Sequence, residues 1–158
     1  MSDTRDLVHH FADAAAAVRY EDVPVDARET AKKSILDTLG VALAASSLEP
    51  AARGVADIVR EAGGAPQATL LGWGGKAPAV MAAFSNGALS HGLDYDDMTP
   101  WGQHATTSIV PAVFALAERQ GGVSGKDMIA AVAAGQDLFA RLRRFVEWKK
   151  DWNLSTVA

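Results

Sequence analysis

Residues 79–91, AVMAAFSNGALSH, are apolar around nearly the whole helical circumference and are relieved only by Ser85, Asn86, Ser90 and His91. Pro78 stands at a helix-opening position just before them, so the segment is expected to be a central helix, buried on most sides. An element without a wet face commits the rest of the chain to surrounding it. The composition says with what: 49% of residues are hydrophobic but only 7% aromatic, with alanine prominent, which suits closely packed helices better than strands that want β-branched and aromatic side chains. A chain of 158 residues fits one domain. The predicted fold class is therefore all-α, a compact multi-helix domain over residues 1–158.

The remaining segments follow suit. Residues 4–19 place Leu7, Phe11, Ala14, Ala15 and Val18 at helical spacing and predict an amphipathic first helix. Its adjacent His9 and His10 point about 100° apart, which suits solvated or packing roles rather than a shared ligand. After Pro24 a second helix over 25–45 begins wet, with Arg28, Glu29, Lys32 and Lys33, and ends in ILDTLGVALAA, apolar almost all round and expected to be buried. Asp37 opens that buried half and needs partners there, most simply backbone or hydroxyl groups. A third helix over 51–62 turns Val55, Ile58 and Val59 inward and stops at Gly63 and Gly64. ATLLG reads as one short extended segment near 67–72, the only one expected. The GWGGK that follows reads as loop glycines: a Walker loop would need Gly and Ser or Thr where Leu70 and Ala77 stand, and Gly125-Lys126 fails likewise at Gln120 and Asp127. TSIVPAVFALAER predicts a further helix, capped by Thr106 or Thr107 with Pro111 in its first turn. Ser124 to Asp127 forms a capping-box pattern for a last long helix burying Met128, Ile129, Val132, Phe139 and Leu142. Residues 145–158 are a basic and aromatic tail suited to docking.

Charge and residue usage narrow the function classes. A net charge of −4 and a pI near 5.5 provide no electrostatic footprint for nucleic acid. The absence of cysteine removes disulfides, thiolate metal sites and a cysteine nucleophile, and suits a cytoplasmic location. MSDTRDLVHH lacks the apolar core of a signal peptide, and the run over 38–48, bounded by Asp37 and Glu49, is shorter than the ~20 residues of a membrane span. No membrane partner is expected.

Ionisable groups concentrate in residues 85–108, SNGALSHGLDYDDMTPWGQHATTS, with two histidines, three aspartates, a tyrosine and a tryptophan between two apolar helices. Gly92 is placed to stop the first helix, and Asp94, Asp96 and Asp97 then lie in a loop that ends at His104. An EF-hand starting at Asp94 would need Gly and Glu where Thr99 and Ala105 stand. His91, Asp94 and His104 have no spacing of a known metal motif, so no metal or other cofactor is expected. No G-x-S-x-G elbow supports a serine hydrolase. Proton transfer fits better: crowded carboxylates raise one another's pKa when partly buried, and the histidine ten residues after Asp94 adds a side chain that can both give and take a proton. The competing reading is a solvated acidic loop.

LDTLGVALA, ATLLG, AAFSNGALSHGLDYDD, His104, PAVFALAE and SGKDMIAAVAAGQDLFARL, in that order over about residues 22–144, resemble the MmgE/PrpD family of 2-methylcitrate dehydratases and cis-aconitate decarboxylases. The resemblance implies the first part of a large helical domain that, in a much longer chain, joins a smaller α/β domain, usually as a homodimer. It implies a cleft that binds di- or tricarboxylic acids without an obligatory metal and dehydrates, decarboxylates or epimerises them. By position Asp94 matches the first aspartate of the family's D-x-D-D motif and His104 its active-site histidine, which makes these the implied catalytic pair, with Thr99, Asp97 and His91 as implied substrate-binding residues. The family's threonine falls on Met98, one residue before Thr99, and its lysines have no counterpart here. Physical reasoning meets the same gap, because a polycarboxylate needs cations to hold it and to stabilise an enolate-like charge, and the loop offers none. Arg141, Arg143, Arg144, Lys149 and Lys150 read as a solvated or docking face. The expectation is an N-terminal subunit of a split carbon-oxygen lyase (hydro-lyase) acting on a 2-methylcitrate-like hydroxy acid, with a second subunit, a homodimer, or both. The alternatives are a non-catalytic helical assembly or regulatory module, and a decarboxylase or epimerase of a similar acid.

Overall fold

Alanine-rich stretches propagate helix at little side-chain entropy cost, and the computed structural model, which describes residues 5–100 and 103–145, is built almost wholly from them. The described elements are α1 (Leu7–Ala17), a 3₁₀ turn (Tyr20–Asp22), α2 (Val25–Leu48), α3 (Pro50–Ala62), β1 (Ala68–Thr69), β2 (Lys76–Ala77), α4 (Ala79–His91), α5 (Thr106–Gln120) and α6 (Gly125–Phe145). The all-α expectation holds, with one correction. Two extended pieces form, not one: β1 pairs antiparallel with β2 in the register Ala68 to Ala77 and Thr69 to Lys76. GWGGK, read as loop alone, supplies the turn and the start of β2. Gly72, Gly74 and Gly75 all take positive φ there. At Gly72 (φ +72°) a Cβ would also lie 2.5 Å from the Ser46 Cβ, so the turn needs glycine on both counts.

This hairpin is too short to stand alone, and two side chains pin it to the helices. Asn86, buried on α4, accepts from Leu71 N–H at 2.9 Å and donates to the Thr69 carbonyl at 2.9 Å. Glu118 on α5 accepts from Thr69 N–H and, at 2.7 Å, from the Thr69 hydroxyl, and pairs with Lys76 at 3.3 Å.

Local capping signals hold unevenly. The Ser124–Asp127 box forms, with Asp127 N–H donating to the Ser124 hydroxyl at 3.2 Å and Ser124 N–H reaching the Asp127 carboxylate at 3.4 Å. On α5 neither threonine caps: the helix starts after Ala105, and Thr107 donates its hydroxyl to the His104 carbonyl at 3.0 Å. Pro111 lies inside α5, beyond its first turn. A proline there leaves the Thr107 carbonyl without its helical donor. That carbonyl faces α4 at Gly87, where a Cβ would approach it to 3.2 Å, so a larger residue would crowd it.

The core consists of small side chains. Ala68, Ala77, Ala79, Ala82 and Ala115 gather around Val59 and Leu70; Ala42, Ala45 and Ala52 around Leu89; and Ala31 with Val110 and Val132. The large apolar residues expected inside are often outside. Val80 (73% exposed) and Phe84 (58%) stand out on α4, and Leu36 (74%) and Leu43 (61%) on α2, so neither helix is buried all round. On α3, Ala52, Ala56 and Val59 face inward and Ile58 is exposed; Leu142 on α6 is exposed as well. No single described helix is long and apolar enough to cross a membrane. The tail over 146–158 lies outside the described residues, as do Lys149 and Lys150.

Candidate functional site

The site forms where α4 ends and α5 begins. Helix α4 stops at His91, and Gly92 keeps right-handed dihedrals (φ −59°, ψ −28°), so the left-handed residue that reverses the chain is Asp94, at φ +50°. Aspartate tolerates that conformation better than most non-glycine residues, and Asp94 N–H is held by the His91 carbonyl at 3.0 Å. Thr99 closes the far side. Its N–H donates to the Gln103 carbonyl at 2.7 Å, and its hydroxyl accepts from Gln103 N–H at 3.2 Å, leaving the hydroxyl proton free to donate elsewhere. Met98, where the resemblance places a threonine, is exposed.

The turn folds the three aspartates to three different tasks. Asp96 points inward, its side chain 0% exposed, and places one oxygen 2.9 Å from His91 Nδ1 and the other 2.8 Å from His104 Nδ1. The two rings lie 4.7 Å apart at 56°. Asp94, with 80% of its side chain exposed, lies on the opposite side of His104, 3.6 Å from Nε2. Asp97 turns back toward α2, accepting from the Ser34 hydroxyl at 3.0 Å, while its N–H donates to the Asp37 carboxylate at 3.0 Å. Ser34 accepts in turn from Gln136 of α6 at 2.9 Å. Asp37 accepts this backbone bond but is exposed, not buried as expected, because this face of α2 is uncovered. Partial burial, opposed by the Ser34 hydrogen bond and reinforced by Asp37 and Asp96, raises the Asp97 carboxyl above its ordinary range.

Five residues singled out from sequence therefore meet within one loop, but in two groups. His91, His104 and Asp94 share one cluster, whereas Asp97 faces α2 and Thr99 clamps the loop. Sequence reasoning gave no separate role to Asp96, the residue on which the cluster centres. The available signal was its position, five residues after one histidine and eight before the other. His91, Asp96 and His104 are also the described residues that could hold a metal ion, with donor atoms within 4.8 Å of one another. No lysine or arginine among the described residues forms an ion pair with Asp37, Asp94, Asp96 or Asp97; the side-chain partners of Asp94 and Asp96 are the histidines. Arg141 is engaged with Asp137 at 2.7 Å. A separate cavity of about 370 Å³ between the end of α5 and the start of α6 has Asp127 as its one ionisable lining residue, and that carboxylate is used in capping α6.

Two bare apolar stripes lead to this cluster. Val80, Phe84 and His91 lie on one face of α4, and Leu36 and Leu43 share a face of α2 beside Asp37.

The chain matches the MmgE/PrpD N-terminal domain over residues 9–158, beyond both ends of the region in which the resemblance is visible by motif. It is similar to human cis-aconitate decarboxylase, with 26% identity over 155 residues covering 93% of this chain and 31% of that protein. It is also similar to the mouse cis-aconitate decarboxylase, 32% identical over 79 residues covering 48% of this chain and 16% of that protein. The chain thus spans about a third of the length of the human relative. An alanine-cored helical domain with its acid-histidine loop between α4 and α5, matched along almost its whole length, belongs to the MmgE/PrpD family.

Proposed function

We propose that this chain is the N-terminal helical part of a lyase that dehydrates a di- or tricarboxylic hydroxy acid resembling 2-methylcitrate, and that a second polypeptide completes the site. The carrying observation is the line from Asp94 to His104 Nε2, through the ring to Nδ1, and on to buried Asp96, with no lysine or arginine of the described residues paired to it. Dehydration breaks a C–H bond next to a carboxylate and a C–O bond on the neighbouring carbon, forming C=C and releasing water. A base takes the carbon-bound proton, and an acid supplies one to the departing hydroxyl. Asp94 and His104 Nε2 face the same space and share this proton traffic. Asp96 stabilises the imidazolium formed when His104 takes up a proton. Held beside several carboxylates, an anionic substrate needs lysines or arginines that the partner brings, and the stripes on α2 and α4 are the apolar surfaces it covers.

In the assembled enzyme Asp94→Asn and His104→Gln each lower the rate by roughly 10² to 10⁴, the usual worth of a positioned proton-transfer group. Full activity of either variant removes that residue from the chemistry. Two observations favour other outcomes. The relatives' names point to decarboxylation of an unsaturated acid, read out as release of CO₂ in place of water. Exposed Met98 at the family's threonine position favours a non-catalytic assembly module, which would give a tight complex without turnover.

A further inference from the structure

We infer that Asp96 is the positioning residue of this site, fixing His91 and His104 in the same tautomer so that both present a bare Nε2 outward. The inference deepens the proposed function, since it concerns the same histidines, but its test reads the imidazoles and not turnover. A carboxylate only accepts hydrogen bonds, so a ring nitrogen 2.8 or 2.9 Å from one of its oxygens must carry the proton. Both contacts are made by Nδ1, one to each oxygen. In a neutral imidazole the lone pair then belongs to Nε2. Because the Asp96 side chain is fully buried, water does not replace either partner cheaply.

The two rings are not equivalent beyond this shared anchor. His104 has a second carboxylate, exposed Asp94, 3.6 Å from its Nε2; that is beyond hydrogen-bond length while Nε2 is bare, and it makes His104 the ring placed to exchange a proton. No carboxylate of the described residues pairs with His91 Nε2, and the ring is half exposed. Its lone pair accepts a hydrogen bond from a hydroxyl and repels a carboxylate. His91 is thereby assigned to the hydroxyl of a hydroxy acid, which makes it a residue that discriminates substrates.

The test is long-range ¹H–¹⁵N correlation of the imidazoles in the ¹⁵N-labelled chain, treated with chelator, at about pH 8.5, roughly two units above the ordinary histidine range. Four histidines are present, and His9 and His10 serve as internal references. Two rings are expected with protonated Nδ1, one lost in His91→Gln and the other in His104→Gln. In Asp96→Asn one ring is expected to switch to the Nε2–H form, because an amide accepts on one side and donates on the other. If that variant fails to fold, the two glutamine variants still decide the matter. Fewer than two Nδ1–H rings overturns the inference. So do Nδ1 protons that appear only on chelation, which would reveal a metal in their place. In the assembled enzyme, His91→Gln is expected to raise KM for a hydroxy acid tenfold or more while leaving KM for its dehydrated product nearly unchanged; equal effects on both remove the hydroxyl assignment.

Discussion

Asp94, Asp96 and Asp97 show how three identical side chains within four residues acquire different chemistry from direction alone. Their crowding was legible in the sequence, as was the company of His91 and His104. Which carboxylate points inward was not, because that depends on the left-handed turn at Asp94 and on where α5 brings His104. Asp97 carries a pH prediction. Its carboxyl is raised in the folded state, chiefly by burial, so the folded protein binds a proton more tightly than the unfolded chain does. This contribution to stability is full below the unfolded value near 3.8 and is lost as pH rises through the folded value. Asp97→Asn removes the cost of burying that charge and still accepts from Ser34. Thermal melts are expected to show the variant gaining on the parent as pH rises from 3.8 to 7, and a constant difference across that range would refute the assignment.

At the scale of elements, what was legible was local. The capping box of α6 needs only residues 124–127, and it forms as read. The second strand was missed because its pairing depends on distant anchors, Asn86 and Glu118, that no local pattern announces. Asn86 in particular looks in sequence like a polar interruption of an apolar helix, whereas in the fold it satisfies one donor and one acceptor of the hairpin. Asn86→Ala leaves both backbone groups without their partner, and at about 1–3 kcal/mol each the expected loss is ~2–6 kcal/mol in urea unfolding. A loss below about 0.5 kcal/mol would mean that Asn86 does not anchor the hairpin.

For the whole molecule, periodicity located the helices but not which of their apolar residues face the core: Ile58 and Leu142, expected inward, are exposed. Alanines fill the core while Leu36, Leu43, Val80 and Phe84 stay exposed, so the helical layer described here has an inside and a second apolar outside. Leu43→Ser with Phe84→Ser is expected to leave the melting temperature within a few degrees of the parent, since neither side chain is buried, and to weaken capture of the completing polypeptide at least tenfold. Unchanged capture would place the partner elsewhere. The proposed function stands on the inability of an acidic site, with no lysine or arginine paired to it among the described residues, to hold and deprotonate a polycarboxylate by itself. Its most direct test is the turnover of 2-methylcitrate and cis-aconitate by the purified chain, alone and mixed with the proteins that accompany it from its native source. The chain alone is expected to give no turnover, and the mixture to give it. Efficient turnover by the isolated, monomeric chain would contradict the proposed function.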